Sequence, residues 1–257
     1  MRALLRAILL SLTLLCNLAA YAVETKVMIR ARAKDAKFIG SSLGGAYVIV
    51  RNKTNQQILA EGKTNGSTGN TDLIMKNPKT RTTAIADEKT AGFLAKIDIQ
   101  EPTFVSIEVV SPYNLKQAQA TVTTELWLIP GKHILGDGIV LEIPGFIIDI
   151  LKPRTHQYIA LKDIKDKPFQ FQANVVMMCG CVIDKGGVWD SEQMEVKGIL
   201  KKDGKTLKEV KMSWVATNLF EGSDLINAPG NYELILYAYD EKTGNTGVDK
   251  VNYVIFE

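Results

Sequence analysis

Histidine and cysteine are scarce in this chain. It has two histidines, His133 and His156, and three cysteines in 257 residues. A catalytic triad needs a base held against a nucleophile, and both histidines lie beside predicted turns. No Gly-x-Ser-x-Gly elbow, Walker loop, dinucleotide fingerprint or EF-hand pattern occurs, and no His pair has zinc spacing. Serine hydrolysis, phosphoryl transfer and adenylate chemistry therefore lack support, and the expectation is a chain that is not an enzyme. No dense Lys/Arg block is present, which argues against nucleic acid as a partner. Asp137 stands between Gly136 and Gly138 and reads as a turn former.

No apolar run is long enough and suitably flanked to cross a membrane. The run at the start has another reading. Arg2 and Arg6 form a basic region, Ala7 to Leu18 is apolar, and Ala20-Tyr21-Ala22 fits the small-x-small cleavage rule of a secretory signal peptide. Cleavage after Ala22 removes Cys16 and takes two positive charges off a formal net of +3. Leu15 is too bulky for a lipoprotein site at Cys16. The mature chain is expected to be periplasmic or secreted. An exported protein can form disulfides, but with two cysteines left it must stand on hydrophobic cores.

A sustained 3.6-residue period is also rare. Short alternating segments recur instead, bounded by Gly, Pro, Asn and Asp. Val27, Ile29, Ala31 and Ala33 alternate with Arg30, Arg32 and Lys34, a strand with one wet face. Ala46 to Val50 and Gln57 to Glu61 flank the hairpin signal Arg51 to Asn55. Gly62 to Asp72 reads as an exposed loop, and Pro78 and the Thr-rich run after it oppose a long helix. Strands are expected around Phe93–Ile99, Val105–Val109, Ala120–Ile129 and Ile139–Ile143. Phe146 to Leu151 is apolar between Pro144 and Pro153, either the last strand of a first domain or a connector between domains. Beyond it come Tyr158–Ile164, Phe169–Ile183, Met194–Lys201, Leu207–Val215, Tyr232–Tyr239 and Val248–Phe256. The expected fold is all-β, two tandem β-sandwich domains, residues 23–151 and 152–257. The later half has about seven strands, the number of an immunoglobulin-like sandwich. Trp189 and Trp214 read as packing residues.

Both retained cysteines sit in Asn174 to Ile183, an apolar stretch that reads as one strand. On a strand, Met177, Cys179 and Cys181 share a face. Thiols two residues apart on a flat strand root roughly 6–7 Å from each other, whereas a disulfide wants Cβ atoms about 3.5–4.5 Å apart. A Cys179–Cys181 bond thus requires distortion, which a bulge at Gly180 would supply. Three readings stay open: small hydrophobes or a structural bridge in a core strand, a Cu(I) site of Cys179, Cys181 and Met177, or a redox dithiol.

The segments Ala33 to Gly40, Gly44-Gly45-Ala46, Leu59 to Gly62 and Gly66 to Gly69 resemble bacterial exported proteins with a transthyretin-like or carboxypeptidase-regulatory-like sandwich. The second half, through Tyr232-Glu233-Leu234, Ala238, Asp240 and Gly244-Asn245, is similar to bacterial immunoglobulin-like or fibronectin-like modules. Met178 to Cys181 with Trp189-Asp190 resembles uncharacterised members of the same exported group. The resemblance implies fold and brings no catalytic residues. The signal peptide, the strand-only patterning and the lack of a catalytic constellation together point to an exported, non-enzymatic binding protein whose strand edges or loops receive another protein or a glycan.

Overall fold

Alternating burial along the strands decides the architecture. In the computed structural model, which describes residues 22–257, the chain is all-β. The expected signal peptide, with Cys16, lies outside the described residues except for Ala22.

The first sandwich holds β1 (Val23–Ala33), β2 (Tyr47–Asn52), β3 (Ile58–Lys63), β4 (Phe93–Ile99), β5 (Thr103–Ser111), β6 (Ala120–Leu128) and β7 (Ile134–Ile143). One sheet runs β4-β1-β7 and the other β3-β2-β5-β6. β1 is antiparallel to β4 and parallel to β7. Val27, Ile29, Ala95 and Ile97 from the first sheet and Val48, Val50, Val105 and Ile107 from the second are fully buried. Each such branched side chain contributes about 1.5–3 kcal/mol through lost apolar exposure. The β2–β3 hairpin forms around Arg51 to Asn55 as expected.

Two local expectations need correction. The polar face of β1 is dry at Arg30, because residues 85–92 fold over it. The Arg30 guanidinium donates to the Thr90, Ala91 and Gly136 carbonyls. Asp137 fastens the same segment by accepting from the Ile85 and Ala86 N–H groups. The Gly62–Asp72 stretch is only partly a solvated loop. Thr64 is buried, and its hydroxyl accepts from Ala46 N–H at 2.9 Å and donates to the Ile39 carbonyl at 3.1 Å.

The second sandwich holds β8 (Phe146–Lys152), β9 (Gln157–Ala160), β10 (Pro168–Met177), β11 (Glu195–Lys202), β12 (Lys205–Lys211), β13 (Ser213–Ala216), β14 (Leu219–Leu225), β15 (Gly230–Asp240) and β16 (Asn245–Phe256). Its sheets run β13-β14-β10-β8 and β12-β11-β15-β16-β9. Lettered in chain order, these are the D-E-B-A and C-F-G groupings of an immunoglobulin-like sandwich, with an extra strand beyond each end of the second group. Tyr232 opens β15, the F position, and its hydroxyl donates 2.9 Å back to the Ala228 carbonyl. That is the tyrosine corner of such folds.

β8 pairs with β10, Phe146 opposite Met177 and Ile148 opposite Val175. The change of sandwich therefore falls at Pro144-Gly145, ahead of the expected boundary at residue 152. Phe146, Ile147 and Ile148 are all buried, so no alternation marked them as a strand of the second unit. Tyr158–Ile164 is a strand only to Ala160, then a helical turn over Leu161–Ile164. Leu207–Val215 is two strands, since the chain changes sheet at Met212 between β12 and β13. β14 is a strand that sequence pattern does not announce. Its sequence, Leu-Phe-Glu-Gly-Ser-Asp-Leu, carries Gly and Asp, which strands disfavour.

Tyr232→Phe should lower unfolding free energy by about 1–2 kcal/mol, because it strands a carbonyl at the corner. Urea titration of the two proteins measures the difference.

Candidate functional site

β10 stops at Met177, and the expected strand to Ile183 is instead a turn. Gly180 takes φ +73°, its N–H donates to the Met177 carbonyl at 2.7 Å, and Met177 N–H donates to the Cys181 carbonyl at 3.1 Å. Only a residue at ease in left-handed backbone permits this return. The turn brings the two Cα atoms to 5.3 Å, and Cys179 and Cys181 are joined as a disulfide. Cys179 is 1% exposed and Cys181 8%. The bond occupies both sulfurs, so a Cu(I) site of Cys179, Cys181 and Met177 would require its reduction first. Met177 itself ends β10 with its side chain buried.

The turn lies where the two sandwiches meet. A Cβ built on Gly180 would touch Leu43 of the first sandwich at 3.4 Å. Trp189 sits in the same loop region, 8% exposed, and its indole N–H donates to the Asp35 carbonyl at 2.8 Å. A cavity of about 430 Å³ opens here between Lys37, Ser42 and Thr68 on one side and the disulfide, Val188 and Trp189 on the other. Asn245 makes the second polar tie. It is fully buried; its side chain donates to the Lys34 carbonyl at 3.1 Å and accepts from Gly145 N–H at 2.9 Å. Asp35, in the turn after β1, has its carboxyl held above the ordinary range. Partial burial is the main cause, with Asp240 and Glu142 adding to it and Arg32 opposing.

The histidines do not meet. His133 Nδ1 accepts from Lys26 N–H at 3.1 Å on an exposed edge. His156 stands edge-on to Tyr158, ring centres 5.3 Å apart. Among the described residues neither imidazole is hydrogen-bonded to a hydroxyl or a carboxylate.

Strand order exposes what the sequence could not: the free edges. β12 carries Lys205, Lys208 and Lys211, β4 carries Lys96, and β3 contains Gly62 and Lys63. β9 and β13 are four residues long. β7 is irregular around Gly136 and Gly138, with a register shift against β1. β8 is covered, since Ile150 N–H donates to Asp249 and Gln117 donates to Asp149. These are the usual protections of sheet edges. β6 differs. Its nine residues, Ala-Thr-Val-Thr-Thr-Glu-Leu-Trp-Leu, pair on one side only, with β5, and contain no Pro, Gly, Lys or Arg. Thr121, Thr123, Glu125 and Trp127 face outward, and Trp127 is 60% exposed beside Phe104, with ring centres 5.1 Å apart.

No protein-family model and no curated protein matches the chain. Among solved structures, the titin domains Z1Z2 in complex with telethonin are 12% identical, covering 92% of this chain and 95% of that one, with a TM-score of 0.27. Drosophila N-cadherin EC1-3 is 10% identical, covering 89% and 64%, with a TM-score of 0.29. An engineered protein is 12% identical over 51% of this chain, with a TM-score of 0.33, and the chain spans 24% of that protein's length. The sandwich architecture rests on the sheet pairings themselves.

Asn245→Ala should cost about 2–4 kcal/mol, since it leaves two backbone groups at the junction without a partner. Thermal unfolding reads the loss, and limited proteolysis should show new cleavage near Pro144-Gly145.

Proposed function

We propose that this chain is an exported, non-enzymatic interaction protein of the bacterial envelope that receives a strand of another protein along β6. The observation that carries the reading is the unprotected edge. Unpaired N–H and C=O groups on an exposed strand form a template for a partner strand, and side chains on alternate positions supply specificity. Trp127 and Phe104 would give such a partner an aromatic anchor; aromatic side chains bury large areas and are enriched at interfaces. Export is supported by the basic, apolar and small-x-small pattern of residues 1–22. Transthyretin-like character of the first half rests on its resemblance at Ala33 to Gly69. The Cys179–Cys181 bond reads as structural here, because a buried disulfide is a poor exchange partner.

The test is capture from an envelope extract with a photo-crosslinker placed at Thr121. A Thr123→Lys variant places a charge on the edge and should reduce capture at least tenfold without moving the melting temperature. Equal capture by the variant would refute the edge. Turnover by the purified mature protein on ester, glycoside or peptide panels would refute the non-enzymatic reading.

A further inference from the structure

The second sandwich is left open along one flank. β13 pairs with β14 only through Leu219–Glu221, so the last half of β14 has no neighbour on that side. The facing edge is β12, which pairs only with β11. The gap is shut at Gly222, where an added Cβ would stand 2.6 Å from the Lys211 carbonyl. Toward Leu225 it widens into a slot of about 520 Å³. Its floor is core: Leu200 is 1% exposed, Ile226 2% and Tyr232 3%. Its lips are Leu207 and Leu225, about half exposed on opposite strands. Lys202 and Lys208 stand on the rim.

Charge identifies the occupant. Residues 201–211 contain five lysines against Asp203 and Glu209, and Lys208 pairs with Asp224 at the rim while Lys202 stands 3.9 Å from Asp203. The slot is mostly apolar inside; at its mouth Asp224 neutralises Lys208, and Lys202, 3.9 Å from Asp203, is the lining cation that can meet an anion. We propose that it binds one single-chain amphiphile with an anionic head, of the long-chain carboxylate class. The acyl chain lies over Leu200 and Ile226 between the two leucine lips, and the carboxylate meets Lys202. The volume falls within the range of small-ligand sites, about 300–1,000 Å³, which are mostly apolar with a few placed polar groups. Two exposed leucines flanking a core-deep opening are otherwise a standing apolar liability. This surface is separate from β6, so either proposal can fail alone.

The experiment titrates the mature chain with 11-(dansylamino)undecanoic acid below its micellar concentration. Binding should be saturable at one per chain, with a blue shift of the dansyl emission. Leu225→Glu, at an exposed position, should weaken it at least tenfold with an unchanged melting temperature. Ile226→Trp, which fills the floor, should do the same where it folds. The methyl ester of the probe should bind several-fold more weakly than the acid. Absence of saturable binding, equal affinity in Leu225→Glu, or equal affinity for the ester would each overturn the proposal. Binding that appears only with the chain on phosphatidylglycerol vesicles would overturn it as well, in favour of a membrane surface.

Discussion

A fully buried amide side chain holds the two halves of this molecule to one geometry. Asn245 starts β16 in the second sandwich, yet its hydrogen bonds go to the Lys34 carbonyl of the first and the Gly145 amide of the connector. Polar groups removed from water must keep their partners, so the arrangement tolerates little sliding. Only Pro144 and Gly145 separate β7 from β8, and a Cβ on Gly145 would stand 2.9 Å from the Thr246 carbonyl. Buried apolar side chains from both sandwiches form one continuous cluster. The indole of Trp189 adds another polar tie at the neighbouring Asp35 carbonyl. β6 and the β12–β14 flank are therefore held at fixed positions with respect to the rest.

Much of the fold was legible because period-2 burial is a local signal. Val27 to Ala33, Phe93 to Ile99 and Tyr232 to Tyr239 announce themselves by alternation. The failures share a cause. Phe146 to Ile148 are buried on both faces, so periodicity vanishes and the sandwich to which they belong cannot be read. Met212 lets the chain leave one sheet for the other without any turn residue. Arg30 looked solvated because nothing in its own strand tells of residues 85–92 above it. In each case the deciding partner lies far away in sequence.

The site was harder still. Strand alternation puts Met177, Cys179 and Cys181 on one face, and Gly180 enters that picture only as a source of distortion. Its left-handed backbone goes further, ending the strand and closing the turn. β6 had a legible composition, Thr-rich and free of Pro, Gly and Lys, but being an edge is a property of sheet order. Asn245 was visible only as part of a last hairpin, and its role at the junction depends on Lys34, 211 residues earlier.

The disulfide spans two positions of sequence. In the chain-entropy picture, so small a ring, taken as about three residues, restrains the unfolded chain by only about 1.6 kcal/mol. A cross-link of this kind does little as a staple against denaturation. Its influence is on shape: it fixes a knuckle of backbone against Leu43, and so acts as a shim between the lobes, setting their spacing while each lobe keeps its own cohesion.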